Sequence, residues 1–304
     1  MTSKQKAYIA LSVTSIVWGT SWIASRLAVQ KVPAFQVSSI RQFIAGALFT
    51  GFFLIKGYKL PNLKQLKWLV GMSVLLFVSA NGLATVGVKY ISSGLAALIA
   101  ALYPLSVVVI ERIFFKNTKI TLLTFIGIIL GLAGIAIVFY ENAFHNHQEG
   151  YWIGITVSLI AMLSWSVGTI FIARKQINMN PYYSTGWQML IGAVFLLLLS
   201  AATGNTIPVS SIPTQTWLAI TYLVAMGSIL AYVAFIYTMK HLEASIAALY
   251  AYINPIVAIL IGSVIINETI TLKIIIGSVI TLIGVYIVNL SLRKQKKALV
   301  EPIE

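Results

Sequence analysis

The chain has no cysteine and no aspartate, and charged residues make up only 9% of its 304 positions. Without cysteine, disulfides, thiolate catalysis and cysteine-based metal sites are excluded. Catalysis within a membrane would need clustered histidine and acidic side chains, but the chain has only three histidines and seven glutamates, none of the latter near the middle of an apolar segment. A Walker-type phosphate loop is also missing. We therefore predict that the protein is not an enzyme and has no metal and no cofactor.

Apolar residues are abundant. They make up 59% of the chain, and its mean hydropathy is +0.92, which is more apolar surface than a water-soluble core can bury. The net charge of +14 would suit a nucleic-acid partner, but the basic residues lie in short stretches between apolar segments and near the C-terminal end. The composition predicts an all-α integral membrane protein whose surroundings are the lipid bilayer, with no nucleic-acid partner.

Ten segments are apolar over the roughly 20 residues that a spanning helix needs. They cover residues 7–29, 34–55, 66–88, 92–115, 119–139, 151–173, 182–202, 215–238, 244–266 and 271–291. The stretches between them contain helix-ending residues, for example the proline and glycine of GYKLPNLK and the asparagines and proline of NMNP. The sequence therefore predicts ten transmembrane helices.

A proline-centred segment occurs twice. SGLAALIAALYPLSVVVI (93–110) aligns with ASIAALYAYINPIVAILI (244–261), so that Pro104 matches Pro255. Two further pairs agree in the same order: QFIAGALF with QMLIGAVF, and TLLTFIGIILGLAGIAIV with TLKIIIGSVITLIGVYIV. Because each half holds five helices, an odd number, the second copy would enter the bilayer from the opposite face. We predict two inverted five-helix repeats.

The repeats are assigned to residues 1–146, with helices 1 to 5, and 147–304, with helices 6 to 10 and a short basic tail. Of the 21 basic residues, 16 fall on the side of the N-terminus and Arg41 lies within the second segment; the opposite side holds Arg26, Lys31, Lys89 and Lys273. Lysine and arginine concentrate on the cytoplasmic side of membrane proteins. We therefore predict a multi-pass protein of the inner or plasma membrane with both termini in the cytoplasm.

Several motifs are similar to those of a known family. They are the Trp-Gly pair of SIVWGTSW, the arginine of SSIRQFIAGALF, the paired segments AALIAALYP and AALYAYINP, and NETITLKIIIGSVITLIGVY. In this order and spacing the chain resembles the EamA-type branch of the drug/metabolite transporter superfamily, in which ten helices arise from an inverted duplication. The resemblance implies transport of amino acids or related metabolites, most often as export.

Candidate site residues are polar or aromatic side chains at membrane depth, which are costly unless they face a cavity or a partner. Several occur four positions apart, on one face of a helix. The predicted substrate-binding residues are Trp18, Trp22, Asn81, Tyr103, Trp165, Thr169, Tyr232, Tyr250 and Asn254. We expect them to line a central cavity between helices 1, 3, 4, 6, 8 and 9; the alternative is contacts between helices or an aromatic belt.

Four further residues are interpreted individually. Pro104 and Pro255 are predicted to kink their helices, shaping the cavity and its gates, although such kinks can also merely fit a helix into a bundle. Arg41 is expected to snorkel to the membrane interface or to pair with a carbonyl; the alternative is a substrate carboxylate. Glu268 is expected to cap the start of helix 10.

Glycines recur on the fifth and tenth segments, at Gly127, Gly131 and Gly134 and at Gly277 and Gly284. Small residues let membrane helices approach closely. We expect this packing to be within the chain, so that the protein is a monomer; a dimer interface is the alternative.

These features together predict a secondary transporter that works by alternating access around a midplane cavity and exports an amino acid or a related small-molecule substrate. Neither direction nor solute follows from the residues. An uptake permease or exchanger, for example of nucleotide-related or sugar-related solutes, and a non-transporting receptor or scaffold are therefore the alternatives.

Overall fold

The computed structural model describes residues 1–115, 120–145, 149–175, 177–242, 244–247 and 249–300. Over these residues the secondary structure is helical, without a strand. The helices are α1 Ser3–Val29, α2 Ala34–Ile55, α3 Leu63–Tyr90, α4 Ser93–Phe115, α5 Leu122–His145, α6 Tyr151–Arg174, α7 Pro181–Ala202, α8 Thr214–His241, α9 Tyr250–Ile266 and α10 Leu272–Val300. One helical turn, Ala244–Ala247, precedes α9.

Nine helices of the described part of the chain are long and apolar enough to cross a membrane. The protein is therefore a multi-pass membrane protein. The remaining helix, α9, is apolar but has only 17 residues, and residues 243 and 248 before it lie outside the described part. Ten spanning helices stay a prediction, as does the repeat boundary at 146 and 147, which also falls outside the described residues.

Local signals in the sequence explain where several helices begin. In α1 the Thr2 hydroxyl accepts a hydrogen bond from the Gln5 backbone amide at 3.2 Å, and the Gln5 side chain accepts one from the Thr2 amide at 2.8 Å. Asn62 and Gln65 form the same reciprocal cap on α3. Asn180 caps α7, which starts with a proline. Such caps satisfy amides that have no partner within the helix.

Two helix pairs pack antiparallel through glycines. A Cβ atom added to Gly46 of α2 would lie 2.9 Å from the Gly186 carbonyl and 2.8 Å from the Leu190 amide of α7. One added to Gly127 of α5 would lie 2.7 Å from the Gly284 carbonyl of α10. The backbones are thus in direct contact, which only glycine permits. The predicted close packing of the glycine stripes within the chain is confirmed for α5 and α10.

The other six helices form the centre of the bundle. Helix α1 packs against α8 and α9, whereas α6 packs against α3 and α4, and α4 contacts α9. If each helix is exchanged for its counterpart in the other half, α1 for α6, α3 for α8 and α4 for α9, this set of contacts maps onto itself. The contacts among these six helices thus follow the same pattern in the two predicted halves.

Helices α3 and α8 each contain a segment with the wider π-helical turn. In α3 it spans Val74–Gly82 and in α8 Leu223–Leu230. A π-helical turn adds a residue without ending the helix and rotates the side chains that follow it. The residues near these segments therefore face directions that a regular helical period would not give them.

The two matched prolines differ in their settings. The helical hydrogen-bond pattern of α4 is interrupted at Ala101 and Leu102, so that Pro104 lies in the first turn of the piece Tyr103–Ile110. There a missing amide costs little, because a first-turn amide has no partner in the helix. Pro255 lies inside α9. Thus α4 is interrupted before its proline, whereas α9 continues through its own. The predicted role of the two prolines in kinking their helices and gating the cavity stays a prediction.

Candidate functional site

A cavity of about 160 Å³ lies between the central helices. The lining residues come from α1, α3, α4, α6, α8 and α9, as expected, and additionally from α2. Eight of the nine predicted site residues line it: Trp18, Trp22, Asn81, Tyr103, Trp165, Tyr232, Tyr250 and Asn254. Small residues complete the wall, among them Ser21, Ser25, Ala84, Ala97, Ser158 and Ala161. The cavity is smaller than the roughly 300–1,000 Å³ of sites for drug-sized ligands, so it suits a small solute.

Trp18 is the centre of an aromatic cluster beside the cavity. Its ring lies 5.3 Å from the Tyr232 ring, 5.0 Å from the Phe235 ring and 5.3 Å from the Tyr250 ring, measured between centroids. The ring of Trp165 lies 6.1 Å away, edge to face. The indole nitrogen of Trp18 donates a hydrogen bond to the Gly227 carbonyl at 3.1 Å. These contacts fix the Trp18 ring at the junction of α1, α6, α8 and α9.

This cluster forms the floor of the cavity. Among the described residues, the lining on α1 starts at Trp18 and continues toward the end of that helix, and the lining on α6 stops at Trp165. Below Trp18, Ala7 and Leu11 of α1 pack against Leu242 as a buried apolar layer. The cavity therefore extends away from the end of the bundle at which α1 begins, and it is sealed from that end.

Arg41 is the charged residue of the described lining. Its side chain is buried, at 6% exposure, and its Nε donates a hydrogen bond to the Ser228 hydroxyl at 2.7 Å. No carboxylate in the described part of the chain pairs with it. The expectation that Arg41 snorkels or pairs with a carbonyl is wrong, because the guanidinium turns inward and meets the hydroxyl of a π-helical segment.

Two buried polar atoms of the lining have no hydrogen-bond partner among the described residues: the Asn254 Oδ1 and the Ser158 hydroxyl. Asn81 is held differently, since its Oδ1 accepts a hydrogen bond from the Gln42 Nε2 at 3.0 Å. Buried polar groups are usually paired, and unpaired ones cost about 1–3 kcal/mol each. Asn254 and Ser158 thus have unused hydrogen-bonding capacity in the wall of the cavity.

Three predicted residues lie away from the cavity. Thr169 is not part of the described lining. Its hydroxyl donates to the Ser166 carbonyl at 2.9 Å within its own helix. Serine and threonine often form this bond inside helices. The prolines Pro104 and Pro255 are also not among the lining residues. They act on the cavity at most through the helices that contain them.

Glu268 joins three helices at the other end of the bundle. Its carboxylate accepts hydrogen bonds from the Ser93 amide and the Ser93 hydroxyl, both at 2.7 Å, and lies 3.2 Å from the Arg26 Nε. It therefore caps α4 and not α10, so the expectation for Glu268 is wrong. The start of α10 is capped by Thr271, whose hydroxyl accepts from the Ile274 amide.

Comparison with known proteins shows which family the chain belongs to. The model of the EamA-like transporter family matches residues 5–140 and 152–290. The chain belongs to this family. At 31% identity over 264 residues, the chain is similar to the uncharacterized inner membrane transporter YedA of Escherichia coli K12, which aligns with 86% of this chain and over 83% of its own length.

Other known proteins are similar to nearly the whole chain. The uncharacterized transporter YoaV of Bacillus subtilis is 24% identical over 297 residues, which cover 96% of this chain and 99% of YoaV. A solved crystal structure superposes with a TM-score of 0.66, at 18% identity, over 96% of this chain and 99% of its own. At that identity the likeness shows the fold alone.

In this EamA-like transporter, sequence reasoning missed two kinds of cavity residue. The small polar residues Ser21, Ser25 and Ser158 gave no signal, because serine is common in membrane helices. Arg41 did give one, as a cation within an apolar segment, but it was assigned to the interface. The short distance of Arg41 from the end of its helix does not predict where its side chain points. Its Nε bonds to a residue in the π-helical segment of α8.

Proposed function

We propose that this EamA-like protein is a secondary transporter of a small organic metabolite, an amino acid or a related compound, which it exports by alternating access. The observation that carries the proposal is the cavity itself: an aromatic floor, one buried cation and two unpaired polar atoms enclosed by helices from both halves. Aromatic faces and a few polar groups suit a small polar solute.

The antiparallel packing of α2 with α7 and of α5 with α10 supports the inverted-repeat arrangement, since these helices are counterparts in the duplication. Ten spanning helices, in repeats of residues 1–146 and 147–304, are part of the proposal. So is a cytoplasmic location of both termini, for which the distribution of lysine and arginine is the support. The proposed transporter is a monomer in the bilayer.

In this orientation the aromatic floor faces the cytoplasm and is closed. Export then requires the contacts between the Trp18 ring of α1 and the rings of Trp165 and Tyr250 to open, so that the solute enters from the cytoplasm. Inverted repeats allow this by moving one group of helices against the other around a fixed site. The solute then leaves at the end near Glu268 once the floor has closed again.

The test is solute flux into proteoliposomes that contain only this protein, measured with a panel of radiolabelled amino acids and unrelated metabolites. We expect saturable uptake of at least one small metabolite, and counterflow when the same solute is loaded inside. Trp18→Ala and Asn254→Ala should lower this flux at least about tenfold, since each removes a lining group worth about 1.5 kcal/mol or more.

Trp152→Ala is the matched control for the tryptophan, because Trp152 of α6 is 63% exposed and lies outside the described lining. It should leave the flux unchanged, as should Asn205→Ala for the asparagine, since Asn205 is exposed beyond the end of α7. Full flux in both cavity variants would contradict the assignment of the cavity. Folded protein without flux for any solute would contradict transport and favour a receptor or scaffold.

A further inference from the structure

We propose that Arg41 binds a carboxylate of the transported solute, so that the protein selects carboxylic acids over uncharged analogues. This inference rests on the proposed transport function and adds to it the chemical group that the substrate must carry. It starts from the position of the guanidinium, which lines the cavity and yet is 6% exposed.

The guanidinium has donors to spare. Its Nε hydrogen bond to the Ser228 hydroxyl, at 2.7 Å, leaves the terminal nitrogens without a hydrogen bond to any described residue. One of them, Nη2, lies beside Gly227, where an added Cβ would approach it to 3.2 Å. A guanidinium fixed at one nitrogen presents its remaining N–H groups in a planar fork, and that geometry matches the two oxygens of a carboxylate.

The charge also lacks compensation. A buried cation without a counter-ion is costly, and in membrane proteins such residues pair with each other or mark a solute pathway. The ion pairs of the described chain involve Arg26, Arg174 and Lys273, and Arg41 has no carboxylate partner there. A carboxylate that enters the cavity would supply the missing charge. One cation balances one carboxylate but not the two charges of a phosphate monoester.

Other groups of the same cavity are suited to bind an amine of the solute. The Asn254 Oδ1 is a buried acceptor without a described donor, and the Trp18, Tyr232 and Tyr250 rings line the cavity. Aromatic rings attract ammonium groups. A solute with a carboxylate and an amine would satisfy both. Arg41 is the part that decides between an acid and its amide, because it is the charged residue of the described lining.

Acid and amide analogues of one solute provide the test. Proteoliposomes with the wild-type protein are assayed for counterflow of the twenty radiolabelled protein amino acids and of putrescine, choline and uridine, which have no carboxylate. Each transported amino acid is then challenged with its own primary amide. We expect the amide to compete roughly 10- to 100-fold more weakly than the acid, the factor that a charge-assisted hydrogen bond provides.

Arg41→Gln should raise the half-saturating concentration of the acid by a similar factor and bring the acid and the amide within about threefold of each other. Arg41→Lys keeps the charge without the fork and should retain part of the preference. Lys31→Gln is the control, since it removes one positive charge from an exposed residue beyond α1; it should change neither value. If Arg41→Gln does not fold, Arg41→Lys decides by the acid-to-amide ratio, which a purely structural role would leave unchanged.

Three results would overturn the role of Arg41 while leaving transport established. The first is equal competition by acid and amide in the wild type, and the second is a preference for the acid that survives in both variants. The third is transport of putrescine, choline or uridine in place of amino acids. Absence of flux for every solute would instead overturn the proposed function.

Discussion

Replacement of Glu268 by glutamine should destabilise the protein by about 2–3 kcal/mol. The carboxylate accepts two hydrogen bonds of 2.7 Å from Ser93 and lies 3.2 Å from the Arg26 Nε, with both charged side chains largely buried at 11% and 18% exposure. Glutamine keeps one oxygen but replaces the other with a donor, which would face the Gly94 amide. The variant thus weakens the cap on α4 and leaves Arg26 without its counter-ion.

Glu111→Gln is the matched control for this prediction. Glu111 pairs with Arg174 at the same distance, 3.2 Å, but the two side chains are 30% and 31% exposed. Exposed pairs contribute about 0–1 kcal/mol, so the control should lose much less stability than the Glu268 variant. Equilibrium unfolding of the purified protein in mixed micelles measures both losses under the same conditions.

A double-mutant cycle isolates the ion pair itself. Arg26→Gln and Glu268→Gln should show a coupling free energy of about 1–3 kcal/mol, as neighbouring charged groups do. If Glu268→Gln is no more destabilising than Glu111→Gln, or if the coupling is zero, the reasoning from burial is refuted.

Three other predictions follow from the structure. Gly134→Ala should lower the free energy of unfolding by about 1–3 kcal/mol, because the new Cβ would meet the α10 backbone. Gly71→Ala is the control: an added Cβ there has no atom within 4 Å, so this variant should be neutral or stabilising. Equal effects of the two substitutions would contradict the close packing of α5 and α10. Trp18→Phe keeps a ring but loses the hydrogen bond to Gly227, so flux should fall less than in Trp18→Ala; an equal fall would show that the ring contacts do not matter. Thr169→Val should leave proteoliposome flux unchanged, since its hydroxyl bonds within its own helix, and a large loss would place it in the solute pathway.

The aromatic part of the site could be predicted from the sequence. Trp18, Trp22 and Asn254 stood out because large aromatic or polar side chains at membrane depth need a cavity or a partner, and the four-residue spacing places pairs on one face. Thr169 has the same four-residue spacing, from Trp165, but does not line the described cavity. A hydroxyl can bond to its own helix, and the sequence does not distinguish this from a site facing a cavity.

The polar part of the site depended on features without a sequence signal. The π-helical turns of Val74–Gly82 and Leu223–Leu230 contain no proline and have ordinary apolar composition. The partner of Arg41 lies in the second of them, 187 positions away. The link of Glu268 to Ser93 spans 175 positions. Such pairings are set by how the two halves meet, which a single sequence does not encode in any short motif.

The two neighbouring residues Gly227 and Ser228 have a mechanical consequence. Gly227 accepts the hydrogen bond from the Trp18 indole, and Ser228 accepts the one from the Arg41 guanidinium. One wide turn of α8 therefore holds both the ring at the centre of the floor and the charge on the wall. A rotation of that turn would displace both together. Binding of a solute at Arg41 and opening of the floor at Trp18 would then be coupled directly through this turn of α8, with no other residues needed to connect them.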